Sequence, residues 1–374
     1  MTTTKDRRAK TRNGGIALEL NAGTISDALG IVKPAAAGDR SPKPVLRNVL
    51  ISNGLVVATD LEMRIETELF ATSTGTVLLP LERLQAILRT VSPAEQVTFT
   101  VNDSSCVIEA GAGRWTIPTE DPAEFPTWDT NVVPLARIPA DQFSRAVRGV
   151  IYAVDADSSR YALGAVLIEV AGGAVTFVST DGRRLSTFEC ETDQAVDDSA
   201  TLVPARALQQ LERLAADSDG AVQMERSASE FVATLDGTTL TARLVDGTFP
   251  KWRQVIPARR AASTTIIVGA LAAATKSAAV CASEASKGVT FAFSDQGLHL
   301  TGRSSEYGES SVTCDIVSAG VTTHTKMDPI YLEQFLRPLD QSSTVSVEVV
   351  DSQSAVVLRC DEDYTGVIMP MADD

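Results

Sequence analysis

Thr59, Thr180 and Thr301 stand at equal intervals of 121 residues, each inside related text. ATDLEMRIE fills 58–66, VTFVSTDGRRLST fills 175–187, and a weaker LTGRSSEYGE fills 300–309. Pro80 and Pro204 are 124 residues apart, and so are FPTW at 125–128 and FPKW at 249–252. A chain of 374 residues with that period is read as three like units. That poses a different question from one fold built around a single active site. The middle copy explains the local structure. Val175, Phe177 and Ser179 alternate with Thr176 and Val178, the β-rich pattern of a strand. Thr180-Asp181-Gly182 breaks it, because Asp can hydrogen-bond its own backbone and Gly can take a positive φ. Arg183-Arg184-Leu185 continues as a second strand.

Residues 1–14 are polar, basic and aperiodic, and read as a disordered tail. The first unit, 15–134, opens with a strand over Ile16–Leu20. Thr24 is expected to cap a helix, ISDALGIV, that stops near Pro34. VLRNVLIS and LVVATDLEMRIETEL read as strands. Pro80 is expected to open the helix LERLQAILRTV by supplying a preset φ at its first turn. VTFTV, CVIEA and RWTIPTE are three more strands, and EFPTWDT closes the unit. The second unit, 135–259, repeats this order with helices IPADQFSRAVRGVIYAV and VPARALQQLERLAA. Phe143, Val147 and Val150 share one face of the former. The third unit, 260–374, carries helices GALAAATKSAAVCA and DPIYLEQFLRPL and ends in the strand-like TGVIMPM. Two helices and six to eight strands per unit, without βαβ alternation, predict an α+β fold of antiparallel sheets with helices on one face.

Charge narrows the function. Acidic residues number 48 against 33 basic, a formal net charge of −15, which excludes a protein gripping nucleic acid over its whole surface. A local basic face is still allowed. If the six helices share a side, their outward positions include Arg83, Arg89, Arg145, Arg148, Arg206, Arg213, Lys276 and Arg337. Such a face suits sequence-independent phosphate contact; Glu82, Asp141, Glu212 and Glu333 among them also suit ordinary solvated helices. The five cysteines are scattered, odd in number and without CxxC, so no disulfide framework is expected. With no signal peptide in view, a reducing cytoplasm is the expected compartment. No apolar run approaches the ~18 residues of a membrane span.

Enzyme chemistry finds little support. His299 and His324 are the only histidines, neither near a Cys nor in metal-ligand spacing. No P-loop, GxSxG or dinucleotide fingerprint is present. Asp60, Glu62 and Asp181 lie at repeated strand ends, where stabilising a turn is role enough. No catalytic residue, metal or cofactor is expected. A hydrolase on a repeated α+β scaffold is the contrasting reading, and substrate conversion abolished by Asp181→Ala would favour it.

PVLRNVLIS, ATDLEMRIE, EFPTW, SSRYALGAVLIE, STDGRRLS, RLVDGTFPKWRQVIP and the terminal VIMPM, in this order and spacing, resemble the bacterial sliding clamps over nearly the whole chain after the tail. These are the β subunits of the replicative DNA polymerase. The resemblance implies three clamp domains per protomer and a head-to-tail homodimer forming a six-domain ring around duplex DNA. Helices would line the hole, and the hold would be topological and blind to sequence. It also implies a pocket for a short peptide of the DNA polymerase III catalytic subunit, the clamp loader and other clamp-motif proteins. Matched by text, that pocket is Leu163, Thr180, Gly182, Arg183, Arg184, Leu185, Pro250, Val255, Val367, Met369, Pro370 and Met371. Leu, Val, Pro and flexible Met make an adaptable apolar cleft, although Met369 and Met371 equally suit core filling.

The same matching assigns DNA contact to Arg40, before SPKPVL, and to Tyr161, with Arg83, Arg145, Arg148 and Arg206 in the hole. It places the ring interface at Trp115 and Ile117 of one protomer against Val280 and Cys281 of its partner, an apolar pair meeting an apolar pair. Three departures stand out: Arg183 where the family often has His, Gln254 where many members have Arg, and the acidic ending MPMADD. They motivate a second reading, a paralogous accessory clamp serving a specialised polymerase or resisting a pocket-binding inhibitor. Ala162 also replaces the usual tyrosine neighbour of Tyr161.

Overall fold

A computed structural model describes residues 17–38, 40–69, 75–102, 104–128, 131–155, 161–192, 197–257, 262–282, 288–361 and 363–372. The chain divides into two compact units, one ending at Val132 and reclaiming Val232–Ala242, the other holding Val133–Phe231 and Arg243 onward.

Six α-helices occur among the described residues, two in each copy of the repeat. They are α1 (Ala22–Val32), α2 (Leu81–Leu88), α3 (Ala140–Val150), α4 (Ala205–Ala215), α5 (Val268–Ala279) and α6 (Pro329–Leu336). Their starts differ from expectation in an instructive way. Thr24 lies inside α1, and Asn21 at the cap position makes no side-chain cap bond. Instead the Ala22 and Gly23 N–H groups donate to the Glu95 and Pro93 carbonyls, each at 2.9 Å. The orphan donors of the first turn are satisfied by the loop after the second helix, so a capping hydroxyl is unnecessary. The device recurs: Ala140 N–H donates to Gly220 O at 3.0 Å, and Val268 and Gly269 to Ser343 and Gln341, each at 2.9 Å. A Cβ on Gly269 would stand 2.9 Å from the Gln341 oxygen, so this close approach selects glycine.

Pro80, Pro139 and Pro204 precede α2, α3 and α4 rather than entering them. Their ψ values of 112°, 142° and 133° are extended, and each ends a strand. A locked φ near −65° serves a strand end as well as a first helical turn, so ψ decides. Only α6 keeps the expected arrangement, with Asp328 accepting from the Ile330 N–H at 2.9 Å and Pro329 in first position.

All the registered strand pairs are antiparallel, which gives the α+β class. In the first unit Ala17–Asn21, Gln96–Val101, Ser105–Ala110 and Gly113–Pro118 form a four-stranded sheet in that order. Thr76–Pro80, Asn48–Ser52, Leu55–Thr59 and Met63–Glu68 form a second run, which Thr238 to Ala242 joins opposite Thr67 to Met63. In the second unit Gly308–Cys314, Gly297–Ser304, Val289–Ser294 and Thr323–Met327 make a four-stranded sheet. An eight-stranded sheet runs Ser199–Pro204, Ala165–Ala171, Ala174–Thr180, Arg184–Glu191, Tyr364–Ile368, Val356–Cys360, Thr344–Glu348, Ser263–Ile267.

The join in that sheet positions the site. Arg184–Glu191 belongs to the second repeat and Tyr364–Ile368 to the third, yet they pair from Arg184↔Ile368 to Phe188↔Tyr364. Aromatic rings seal it. Tyr364 stacks on Phe335 with centroids 4.4 Å apart and lies 5.8 Å from Phe188. Its hydroxyl donates to the Phe335 carbonyl at 3.1 Å, so a buried phenol keeps a partner.

Candidate functional site

The hairpin between Ala174–Thr180 and Arg184–Glu191 closes at the Thr180↔Leu185 pair. Thr180 Oγ1 donates to the Arg184 carbonyl at 2.6 Å and accepts from the Gly182 N–H at 3.1 Å. Asp181 Oδ1 accepts from the N–H groups of Arg183 and Arg184 at 2.9 and 3.0 Å. Gly182, at φ +85°, sits in the left-handed region the turn requires. The expected tight turn is therefore held by two short side chains.

The arginine that leaves the turn is less ordinary. The Arg184 side chain is 10% exposed. Its Nε meets Asp181 Oδ2 at 3.0 Å, one terminal nitrogen donates to the Tyr152 carbonyl at 2.6 Å, and the other donates to Gln334 Oε1. The guanidinium lies 5.2 Å from the Tyr152 ring centroid and 4.4 Å from that of Tyr331. A desolvated charge survives only with such partners; here carboxylate, carbonyl, amide and two π-faces supply them. Burial raises the Tyr152 phenol above its ordinary pKa, despite hydrogen bonds with Ser186 and Tyr364. Arg183 is exposed, and hydrogen bonding to Tyr331 raises its guanidinium further.

Beside the turn lies an apolar cluster. Leu185 and Val367 face each other across the join and pack with Ala165, Leu167, Val178, Leu202, Trp252 and Val357. Ala162, Val245, Phe249, Ile256 and Ala355 flank it. Fully burying a Leu or Val contributes about 1.5–3 kcal/mol each. Leu163 is buried in the short turn Tyr161–Gly164, and its carbonyl accepts from Asp155 N–H at 2.9 Å. Pro250 is exposed but tied to the cluster through the Trp252 N–H, 2.7 Å from its carbonyl. Val255 N–H in turn donates to Trp252 O at 3.0 Å, leaving the Val255 side chain 43% exposed.

The segment after the last strand is fastened twice. Met369 N–H donates to the Arg183 carbonyl at 2.9 Å, and Met371 N–H to the Lys326 carbonyl at 2.7 Å. The Met369 side chain is 44% exposed, while Pro370 and Met371 are half-buried. An exposed Met on a fixed backbone is no core filler. The turn, the join and this tail thus bring Thr180, Gly182, Arg183, Arg184, Leu185, Val367 and Met369 together. Sequence reading missed Trp252, Tyr152, Tyr331 and Gln334. FPKW was legible as a repeat marker and as part of the family text, without a role for Trp252, and the last three meet Arg184 only through the fold.

The remaining expected residues lie away from this turn. Arg83, Arg89, Arg145, Arg148, Arg206, Arg213, Lys276 and Arg337 are all exposed, on helices or at their C-caps. Arg148 Nε meets Glu212 Oε1 at 2.5 Å, Arg145 lies 5.5 Å from the Phe188 centroid and Arg213 Nη1 donates to Gln210 Oε1 at 3.5 Å, so several of them are partly engaged within the fold. Arg40 is exposed ahead of the short helix Pro44–Arg47. Tyr161 begins the Tyr161–Gly164 turn; its side chain, like residues 1–16, 373 and 374, lies outside the described residues. Trp115 is half-buried and Ile117 buried on Gly113–Pro118, the edge of its sheet. Val280 is 74% exposed at the end of α5, with Cys281 half-buried beside it.

Asp60 Oδ1 accepts from the Glu62 and Met63 N–H groups at 3.1 and 2.8 Å, a turn role like that of Asp181. Among the described residues no cluster of three His, Cys, Asp or Glu could hold a metal, and no helix is long and apolar enough to cross a membrane.

Three family models match in order: DNA polymerase III beta subunit, N-terminal domain, over 22–129; central domain, over 137–251; and C-terminal domain, over 253–372. The beta sliding clamp of Haemophilus influenzae is 25% identical over 343 residues, covering 88% of this chain and 92% of that one. That of Escherichia coli K12 is 23% identical over 346 residues, covering 89% and 94%. A crystallised sliding clamp (DNA polymerase III subunit beta) from Pseudomonas aeruginosa superposes with a TM-score of 0.89 at 24% identity, covering 96% of this chain and all of that one. The Bacillus subtilis clamp gives 0.88 at 17% identity with the same coverage. Such distant structures speak for the fold; the three domain families, covering the chain from 22 to 372 in their own order, say more: this chain belongs to the DNA polymerase III beta subunit family, the bacterial sliding clamps.

Proposed function

We propose that two copies of this chain close head to tail into a six-domain ring around duplex DNA and tether a DNA polymerase to it for processive synthesis. The three domains are taken as 15–134, 135–259 and 260–374, after a tail over 1–14. The observation that carries the reading is the match of all three clamp domain families, in order, to one chain. Its charge fits: on a protein of net charge −15, the cations Arg83, Arg145, Arg148 and Arg206 stand on exposed helical positions, with Arg40 and Tyr161 assigned to the same duplex. Weak, sequence-blind phosphate contact of this kind is what a sliding ring needs.

In this reading Leu163, Thr180, Gly182, Arg183, Arg184, Leu185, Pro250, Val255, Val367, Met369, Pro370 and Met371 form the pocket for a short peptide of polymerase, clamp loader or other partners. Trp115 and Ile117 meet the partner's Val280 and Cys281. The protein binds and tethers and catalyses nothing, and it works in the cytoplasm, where bacterial DNA replicates. An accessory clamp is not favoured, since the relatives from Haemophilus influenzae and Escherichia coli are beta sliding clamps themselves.

Retention on DNA tests the reading. Loaded protein should stay on a closed circular duplex through a salt wash and leave once the circle is linearised; equal loss from both forms would defeat the ring. Light scattering across a dilution series should give about twice 39.6 kDa. Met369→Ala with Met371→Ala should lower peptide affinity at least tenfold at unchanged mass.

A further inference from the structure

Ser199–Pro204 is the edge strand of the eight-stranded sheet, and the loop after Arg243 is fastened to it and its neighbour at two places. Val245 N–H donates to the Leu202 carbonyl at 3.0 Å. Glu169 Oε2 accepts from Trp252 Nε1 at 3.1 Å and from Arg253 Nη1 at 2.5 Å. Between these ties lies a cleft of about 530 Å³. Leu167, Ala200 and Leu202 on the two strands face Phe249, Pro250 and Trp252 of the loop. Glu169 is engaged by Trp252 and Arg253, and the exposed rim is Gly247, Thr248, Lys251, Arg253 and Gln254, of which Lys251 is the charge not paired with Glu169.

We infer that this cleft is an accessory subsite for the flank of the partner peptide, taking a large apolar side chain beside an acidic one. The inference rests on the reading of Leu185 and Val367 as the floor of the main peptide pocket. Continuity supports it first. Leu167, Leu202 and Trp252 belong to the same apolar cluster as Leu185 and Val367, and Pro250 is shared by both sites. The exposed Pro250 is the step between them for an extended segment advancing ~3.3 Å per residue. Charge supports it second. A positive rim on a strongly acidic protein selects a carboxylate at Lys251 and holds it there while an apolar neighbour fills the cleft. Volume agrees, since about 530 Å³ lies within the roughly 300–1,000 Å³ of ligand-holding clefts and leaves room for a large apolar side chain with its neighbour. The strand edge beside Ala200 adds a surface suited to an extended chain.

The test is fluorescence anisotropy with a labelled pentapeptide, Gly-Leu-Gly-Leu-Phe, and with two versions extended by Asp-Leu-Glu at one end or the other. One extension should improve affinity for the unaltered protein about tenfold. The gain should vanish in Ala200→Trp, which fills the cleft from an exposed position, and fall to within twofold in Lys251→Glu. The pentapeptide should bind all three proteins alike. No gain from either extension overturns the inference, as does a gain that survives in Ala200→Trp or, should that variant unfold, in Lys251→Glu. A pentapeptide that fails on the unaltered protein overturns the main pocket itself, which is a separate and distinguishable result.

Discussion

The turns at 59–63 and 180–184 use the same device for different ends. In the first, Thr59 Oγ1 donates to the Met63 carbonyl at 2.9 Å and accepts from the Leu61 N–H at 3.0 Å, while Asp60 accepts the next two N–H groups. The second repeats every one of these bonds with Thr180 and Asp181. The neighbouring residues diverge. Leu61 holds φ +78° without being glycine, and Met63 is buried, so the first turn simply ends a strand on its core. The second relaxes the backbone with Gly182, keeps an exposed residue, Arg183, where the first has Glu62, and puts Arg184 where the first has the buried Met63. Thr-Asp makes the corner, and the three residues after it decide whether it is architecture or a site.

The third copy sharpens the contrast. Thr301 lies mid-strand, opposite Ser311, and makes no corner. Gly302 occupies the place of the aspartate, and a Cβ there would lie 2.2 Å from the Ala278 carbonyl oxygen at the end of α5. The corner moves outward to Ser304, whose hydroxyl accepts from Glu306 and Tyr307 at 3.1 and 3.3 Å. Helix packing excluded the aspartate, and the turn went with it.

If Arg184 is what separates the second turn from the first, Arg184→Met should have the largest effect. It strands Asp181 and frees Gln334 and the Tyr152 carbonyl, and breaking such a buried pair costs about 3–5 kcal/mol. Denaturant unfolding of the second unit should show it, with the first unit unmoved. Thr59→Val and Thr180→Val should each cost about 2 kcal/mol by removing paired hydrogen bonds; a clearly unequal pair of losses would break the equivalence of the corners. A glycine exchange comes next. Leu61→Gly should be neutral or gain up to about 1 kcal/mol, whereas Gly182→Leu should lose about 1–2, because left-handed backbone penalises a side chain. Both shifts are readable in the melting temperature.

Alkaline titration gives the smallest difference. Burial pushes the Cys106 thiol in the first unit up to about 11, and burial, aided by Asp363, pushes Cys190 in the second up to about 12. The folded state keeps both protonated, so nothing is lost below the ordinary thiol value near 9. As pH rises past it the unfolded chain sheds protons the folded chain retains, and stability falls. At pH 9.5 each of these two thiols should cost about 0.8 kcal/mol, and the second unit, which also holds Cys314, Cys360, Tyr152 and Tyr364 with ionisations raised by burial, should lose more than the first, as hydrogen exchange would read. Cys190→Ala should remove that thiol's part of the second unit's loss and leave the rest.

Much of the fold is legible in the sequence. The period, the two helices per copy and the antiparallel class come from local pattern, because hydrophobic spacing and turn chemistry act within a few residues. Thr24 fails as a cap because the acceptors for Ala22 and Gly23 are carbonyls some seventy residues on. An Arg-Arg pair reads as surface, yet Arg184 is buried by partners at 152, 331 and 334 that only the fold assembles. The Leu185↔Val367 pair is placed by family text alone, since nothing local predicts that the middle repeat borrows a strand from the last.

That borrowed strand puts a clock on the site. Leu185 and Val367 are 182 positions apart, and a ribosome adding roughly 5–20 residues per second takes on the order of ten to forty seconds to cover the distance. For that interval the strand Arg184–Glu191 has no neighbour on one side, and Phe188 has no Tyr364 against it. The nascent chain must therefore carry an open sheet edge beside an unfinished apolar floor. Such a surface is one that chaperones recognise.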